Sequence, residues 1–522
     1  MAGVYNWKYL KNGDVEIFTA ILLPKKEGKF PTVIYRTPYA DADEETPEDE
    51  ICERVLNEVY SFWIEAGYAV VFQHCRGKGK STGEFIPYVN ERNDGLFTQN
   101  WIRTQPFYNG EIFLAGGSYG ATVHLITAPF ADDIKGAIID VQDTFRYNCS
   151  FRNGLFKIRL TGAWHLRHFK NKQIRKKYFT YSTFKMLPLS DLSKTVFGES
   201  DYNIDETMKH PRRDDPFWKE TVLGGSETYG VLDHVRIPIL LITGFYDIYT
   251  GGIFNMWRAM DDEARAKTAF VVQPMEHGGI GRDQPIVFED GILLNAFGEY
   301  RVKWFDSIRG KCDSPFKKGK VTYYKLFDNK WLCDDFFDIN ETKRVPLGEG
   351  SVSYKYNPYD PAYFEGGLST NFDGNAWQDP PNSRYDIISL FSEEFKEDTY
   401  IKGKITAKLK VSSDCEDTCF YMRLSLCKQE GYYGLRDDIN QISNFAPDYV
   451  PGETLDMDFS FDEHSFVVKK GEKIRIDISS SAFPFYVPHT NHRGPFYEQT
   501  TAKVATNTVI LEDSYIDLPI SK

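Results

Sequence analysis

Glu111-Ile112-Phe113-Leu114-Ala115-Gly116-Gly117-Ser118-Tyr119-Gly120 is the stretch on which the reading of this chain turns. The apolar run Ile112 to Ala115 has the length of a short buried strand. Ala121-Thr122-Val123-His124-Leu125-Ile126-Thr127-Ala128, which follows, reads as a helix. Between them stands Gly-x-Ser-x-Gly. Strand, tight turn and helix form the setting of a nucleophile elbow, where a serine occupies the apex with its hydroxyl exposed. Gly116 and Gly120 carry no Cβ, which leaves the strand and helix room to cross. The helix N-terminus then offers N–H donors to an oxyanion forming at the serine. Alone, the five residues also fit a glycine-rich turn with an incidental serine, so the flanking sequence has to decide.

Upstream, Val15-Glu16-Ile17-Phe18-Thr19-Ala20-Ile21-Leu22-Leu23-Pro24 alternates as a strand does, and Pro31-Thr32-Val33-Ile34-Tyr35-Arg36 is a second strand, closed by Thr37-Pro38-Tyr39. The acidic residues Asp41 to Glu50 read as a solvated turn. Val55, Val59, Phe62 and Trp63 fall at helical spacing within residues 51–66, and Gly67 ends that helix. Tyr68-Ala69-Val70-Val71-Phe72-Gln73 is a continuous apolar strand, the kind buried on both faces of a parallel sheet. A basic loop (Arg76-Gly77-Lys78-Gly79-Lys80-Ser81-Thr82-Gly83) and a helix from Asn93 to Arg103 follow. The loop matches only the end of a phosphate cradle, because His74 stands where the first glycine belongs.

This alternation to residue 140 makes an α/β doubly wound sheet. From 143 to 230 the pattern lapses, then resumes with strands at 237–244 and 268–273. Residues 141–230 therefore insert between sheet strands as a cap over the site. After residue 311 short strands of period two, such as 404–411 and 473–478, replace the mixed pattern. The expected organisation is an α/β domain over 1–140 and 231–310, a cap over 141–230, and an all-β sandwich or jelly roll over 311–522.

The net charge of −13 disfavours a general nucleic-acid binder. No run of eighteen apolar residues marks a membrane span, and the first residues lack the basic and apolar regions of a signal peptide. The eight cysteines show no Cys-x-x-Cys spacing, Cys415, Cys419 and Cys427 included. Reduced thiols in a cytoplasm are the expectation.

A serine nucleophile needs a base and an orienting acid, which α/β-hydrolases supply from later strand ends in the order Ser, Asp, His. Phe245-Tyr246-Asp247 directly follows strand 237–244, and Pro274-Met275-Glu276-His277-Gly278-Gly279 directly follows strand 268–273. Ser118, Asp247 and His277 are thus the candidate catalytic residues. His74, His124 and His234 precede Asp247 and break the order. Glu276 is a rival acid, but neighbours on a loop usually diverge.

Several stretches together resemble the cocaine-esterase-like acyl hydrolases, relatives of the Xaa-Pro dipeptidyl-peptidases and α-amino-acid ester hydrolases. They are Arg36-Thr37-Pro38-Tyr39, the 76–83 loop, Gln105-Pro106-Phe107-Tyr108-Asn109-Gly110 and the elbow itself. Val411-Ser412-Ser413-Asp414, Asp417-Thr418, Arg423-Leu424, Pro451-Gly452 and Ile478-Ser479-Ser480-Ser481-Ala482-Phe483-Pro484 extend the match through the C-terminal part. The resemblance implies an α/β-hydrolase domain with an inserted helical cap, followed by a jelly-roll domain. It also implies an oxyanion hole made by the Tyr39 hydroxyl and the Tyr119 backbone N–H. Three features depart from the pattern. His74 replaces an aspartate, and Ile248-Tyr249-Thr250 stand where the α-amino-acid ester hydrolases have carboxylates that hold a substrate ammonium. The N-terminal helical domain of the dipeptidyl-peptidases is not expected here, because this sequence starts almost at its first strand.

The function expected is a serine hydrolase that cleaves an acyl ester, with an amide left open, without metal or cofactor. The alternatives are an Xaa-Pro dipeptidyl-peptidase and, in another class, a non-catalytic jelly-roll binding protein. The partner expected is a small-molecule substrate, with no nucleic acid and no membrane; a homo-oligomer is left open. Between Thr144 and Ser190 lie eleven Lys or Arg and no Asp or Glu. These are Arg146, Arg152, Lys157, Arg159, Arg167, Lys170, Lys172, Arg175, Lys176, Lys177 and Lys185. A positive wall there would draw anions inward and suit a negatively charged substrate; the alternative is that Arg175, Lys176 and Lys177 lie on a solvated outer helix face or meet acidic residues of a neighbouring subunit.

Overall fold

In a computed structural model, the N-terminal strands join one ten-stranded sheet. The structure describes residues 3–24, 27–143, 145–168, 182–221, 235–277, 286, 288, 297–337, 339, 341–364, 366 and 376–522. The strands are β1 (Gly3–Asn12), β2 (Val15–Pro24), β3 (Phe30–Thr37), β4 (Ala69–His74), β5 (Tyr108–Gly117), β6 (Ile134–Asp140), β7 (Ile239–Gly244), β8 (Ala269–Gln273), β9 (Val321–Lys325) and β10 (Lys330–Asp334). Their order is β1-β2-β4-β3-β5-β6-β7-β8-β9-β10. From β4 to β9 every neighbouring pair is parallel. The outer pairings are antiparallel.

Successive residues of the central strands face opposite cores, as a pleated strand buried on both sides requires. Val33, Val70, Phe113, Ile138 and Leu240 enter one core with Trp304 and Phe305 of the helix Phe297–Ile308. Ile34, Val71, Leu114, Ile139 and Leu241 enter the other, with Leu125 from the helix Tyr119–Leu125 and Ile253, Phe254 and Trp257 from the helix Thr250–Ala259. Each such side chain contributes about 1.5–3 kcal/mol on burial. A parallel sheet sealed on both faces exposes its carboxyl edge, and there Tyr39, Ser118, Asp247 and His277 follow β3, β5, β7 and β8.

The structure revises four expectations. The first strand is β1, which pairs with β2 through a two-residue turn at Gly13-Asp14, with Gly13 at φ 64°. The stretch 51–66 is not one regular helix, since a π turn over Val55–Val59 separates helix Glu48–Arg54 from helix Ser61–Glu65. The boundary at residue 310 falls too early. β9 pairs with β8 and β10 with β9, so the α/β sheet continues to Asp334. Asp41 to Glu50 is not a bare solvated turn, because Asp43 is buried.

Between β6 and β7 the described chain forms short helices (Arg146–Ser150, Ala163–His168, Leu192–Phe197, Tyr202–Met208, Pro216–Thr221) and a small hairpin of Phe151–Arg152 with Leu155–Phe156. Phe145, Phe151, Phe156 and Trp218 share a core with Phe483 and Val487, so the insertion is packed against the C-terminal domain. Arg152 adds ion pairs to Asp438 and Asp462 at 2.7 and 3.2 Å.

That domain is all-β, with two antiparallel sheets of seven and five strands. The strand Ala505–Ser521 pairs with four others and spans the larger sheet. Leu409, Val411, Met457 and Phe459 of this sheet share a core with Leu424, Leu426, Ile474 and Ile476 of the other.

Candidate active site

β5 ends at Gly117 and a helix begins at Tyr119, so Ser118 must turn the chain by itself. It does so at φ 55°, ψ −132°, a conformation that costs a residue with a side chain about 1–3 kcal/mol. The Ser118 N–H donates to the Asp140 carbonyl at 3.0 Å and ties the turn to the end of β6. Gly116 is required by the crossing helix, because a Cβ there would meet the Gly120 backbone.

Asp247 is wholly buried, three residues past β7. Its Oδ1 accepts the Tyr249 N–H at 2.6 Å, and its Oδ2 lies 2.8 Å from His277 Nδ1. His277 Nε2 lies 3.0 Å from Ser118 Oγ. Carboxylate, imidazole and hydroxyl therefore form one hydrogen-bonded chain. A carboxylate at Nδ1 fixes the neutral tautomer with its proton there and leaves the Nε2 lone pair facing the serine.

Tyr39 reaches the same point from the end of β3, with its hydroxyl 3.2 Å from Ser118 Oγ. Tyr119 is the first residue of its helix, so its N–H has no acceptor within that helix. Its side chain turns the other way: the hydroxyl donates to Glu91 Oε1 at 3.0 Å and accepts the Tyr88 N–H at 2.8 Å. Glu91 Oε2 is 3.0 Å from Arg36 Nη2, an ion pair with only 3% and 1% of the side chains exposed. Arg36 also binds Gln73 Oε1 and the Glu91 carbonyl, each at 2.8 Å.

Two of the three rival histidines, His124 and His74, are placed elsewhere. His124 is buried beneath the elbow and accepts the Arg36 N–H on Nε2. Burial, aided by Arg36, pulls its pKa down to about 3. His74 accepts the Lys80 N–H on Nδ1, and its Nε2 is 3.1 Å from Asp43. Burial keeps His74 below the usual histidine range, against the pull of Asp43. The position that departs from the resemblance thus anchors the 76–83 loop to Asp43. In that loop Lys78 pairs with Asp41 at 2.6 Å and is buried, not aimed at a phosphate. His234 lies outside the described residues, as do Gly278 and Gly279.

A cavity of about 270 Å3 opens on Ser118, His277 and Tyr39. Its walls are largely aromatic, including Tyr88, Trp164 and Tyr249, and Trp164 stacks on Tyr119. The sequence reading singled out neither Tyr88 nor Trp164, and it named Tyr249 only as part of the stretch that replaces carboxylates; the aromatic richness of the insertion hinted at Trp164 alone. Among the described lining residues none is a carboxylate, and Arg146 is the one Lys or Arg. Of the five described cations in the basic stretch, Arg146 alone lines the cavity. Among the others, Arg152 turns to the C-terminal aspartates, Lys157 donates to the Asn148 carbonyl and Lys185 to the Tyr359 carbonyl. Arg167's side chain, Lys170, Lys172, Arg175, Lys176 and Lys177 lie outside the described residues. The eight cysteines are free thiols, and among the described residues no helix is long and apolar enough to cross a membrane.

Residues 12–279 match the family described as X-Pro dipeptidyl-peptidase (S15 family), and residues 338–516 match the X-Pro dipeptidyl-peptidase C-terminal non-catalytic domain. The chain is 24% identical to the cocaine esterase of Rhodococcus sp. (strain MB1 Bresler), with 97% of this chain and 96% of that protein covered. In fold it is similar to an aminopeptidase from the marine sediment archaeon Thaumarchaeota archaeon, with a TM-score of 0.83, 19% identity, and 100% and 97% of the two chains covered. It is also similar to an α-amino acid ester hydrolase, with a TM-score of 0.84, 18% identity and the same coverage.

Proposed function

Since the chain belongs to the X-Pro dipeptidyl-peptidase (S15) family, we propose that it is a serine hydrolase which cleaves an acyl ester, or an amide of the same shape, through an acyl-enzyme on Ser118. The observation that carries this reading is the chain from Asp247 through His277 to Ser118, at 2.8 and 3.0 Å. In this mechanism Ser118 Oγ attacks the substrate carbonyl carbon as His277 Nε2 takes its proton. Asp247 holds the ring and stabilises the imidazolium. The tetrahedral oxyanion is met by the Tyr39 hydroxyl and the Tyr119 N–H. His277 then passes the proton to the leaving oxygen or nitrogen, and water repeats the cycle to release the acid and restore Ser118.

Family membership favours a second reading, release of Xaa-Pro dipeptides from a free N-terminus. That chemistry has to hold an ammonium, and the described cavity offers Arg146 and no carboxylate. Ester hydrolysis, with an uncharged or anionic substrate, is therefore preferred. A non-catalytic binding role would leave the strained Ser118 backbone without a purpose. The eight free thiols suit a reducing cytoplasm.

The test is a fluorophosphonate probe with mass mapping, alongside turnover of p-nitrophenyl acyl esters and Gly-Pro-p-nitroanilide. Adduct on Ser118 with ester turnover is expected. No adduct there, or turnover that survives Ser118→Ala, would refute the reading. Faster turnover of the anilide would reassign the enzyme to the peptidase reading.

A further inference from the structure

Arg146 begins the first helix of the insertion and is 7% exposed, yet it lines the cavity that holds Ser118 and His277. Among the described residues its guanidinium makes one hydrogen bond, from Nη2 to Thr207 Oγ1 at 3.3 Å, and no ion pair. Three other buried arginines meet a carboxylate, Arg36 with Glu91, Arg423 with Asp437 and Arg475 with Asp477, whereas Arg436, which faces no catalytic cavity, donates to the Glu463 carbonyl. Around Arg146 stand the rings of Tyr88, Phe217 and Trp218, with centroids 5.4, 5.5 and 5.9 Å away. Such faces hold a planar cation in place without neutralising it. His165, on the same cavity wall, is kept neutral by burial and by Arg146 itself.

An arginine stays charged at any working pH, and a buried charge with four unused N–H donors is incomplete without an acceptor. Its fork matches a carboxylate in a bidentate pair. We infer that Arg146 selects the substrate by pairing with a carboxylate on the acyl or leaving group, inside the cavity that also holds Ser118 and His277. The aromatic walls take the apolar spacer between that carboxylate and the scissile carbonyl. This inference rests on the hydrolase reading above and adds the residue that reads the substrate's charge. It rests the reading of charge on one buried guanidinium, a short-range contact that bulk salt screens weakly.

Two p-nitrophenyl esters of glutaric acid provide the test, one with its second carboxyl free and one with that carboxyl methylated. For the full-length enzyme, kcat/KM is expected to favour the free acid by roughly 10-fold or more, the scale of a hydrogen-bonded charge. Arg146→Met should abolish that preference, mainly through KM for the free acid. Arg146→Lys should keep part of it, since the charge remains and the fork is lost. A wild-type preference for the methylated ester overturns the inference, and so does an Arg146→Met enzyme that slows both esters with their ratio unchanged. If Arg146→Met does not fold, the wild-type enzyme decides alone. Glutarate should compete with substrate and the neutral, non-hydrolysable 1,5-pentanediol should not; equal inhibition by both, or by neither, overturns the inference. Fluorophosphonate labelling of the same preparations separates the two levels. Labelled Ser118 without a charge preference ends this inference only, whereas unlabelled Ser118 ends the hydrolase reading beneath it.

Discussion

The Tyr39 hydroxyl lies 3.2 Å from Ser118 Oγ, although the two residues are 79 positions apart in the chain. β3 and β5 are parallel neighbours, so their carboxyl ends deliver both side chains to one point. Tyr39 is 45% exposed, so its hydroxyl is not fixed by burial. Tyr39→Phe should therefore leave stability nearly unchanged and lower kcat by roughly 10²–10³, the usual scale for one oxyanion donor, with a smaller change in KM. Steady-state kinetics on a neutral nitrophenyl ester decide it, and an unchanged kcat would make Tyr39 a packing residue.

Asp247→Asn should cost about 10⁴ in kcat, because an amide that donates to Nδ1 favours the wrong tautomer of His277. Glu276, next to the histidine in sequence, is the control. Asp247 Oδ2 sits 2.8 Å from the ring, so Glu276→Gln should be mild. The reverse ranking would move the acid to Glu276.

The parallel core was legible because each central strand is a continuous apolar run, a pattern that survives without knowledge of its partners. Ser118, Asp247 and His277 could be aligned because each follows such a run. What the sequence hid lies where burial is one-sided or partners are remote. β1 buries only two of its ten residues, so its period is weak. β9 and β10 resemble the β-rich texture that follows them, and only pairing assigns them to the α/β sheet. Arg146 was one of eleven cations in the basic stretch, and no spacing rule separates it from Arg152, which meets Asp438 nearly 300 residues away.

The Arg36–Glu91 pair offers a structural test behind the proposed oxyanion hole. Both side chains are sealed from solvent, so Glu91→Gln leaves a buried guanidinium uncompensated. A loss of about 3–5 kcal/mol is expected, read as a lower urea midpoint for the α/β domain. Tyr119 also loses the carboxylate that receives its hydroxyl, so kcat should fall as well. A double replacement of Arg36 and Glu91 by apolar residues should be less damaging than Glu91→Gln alone. If the single change is the milder one, the pair is not the constraint proposed.

Acid should weaken the fold through His124. Its pKa is about 3 in the folded protein and 6.5 ordinarily. Above pH 6.5 both states hold it neutral, and its contribution is fully present. Below that, the unfolded chain takes up a proton that the folded chain refuses. Stability is therefore lost as pH falls from about 6.5 towards 3, by up to about 1.4 kcal/mol per pH unit from this group. His165 acts in the same direction. Thermal melts at pH 7.5 and 5.5 should show wild-type losing its advantage over His124→Gln on acidification. An equal drop in both proteins would remove His124 from the account.

The backbone at Ser118 makes the last prediction, and it separates strain from chemistry. At φ 55°, ψ −132° a Cβ is penalised, whereas glycine enters this region freely. Ser118→Ala and Ser118→Gly both remove the hydroxyl, so both should lose turnover alike. They differ only in the Cβ and in the entropy of the unfolded chain. Glycine raises that entropy and costs up to about 1 kcal/mol, while relief of the strain returns about 1–3 kcal/mol. Ser118→Gly should thus be at least as stable as Ser118→Ala, opposite to the usual order for these two residues. Denaturant unfolding of the two inactive proteins reads the difference directly. An alanine variant more stable by a full kcal/mol would mean that the elbow stores no strain, and that Gly116 and Gly120 alone make the turn possible.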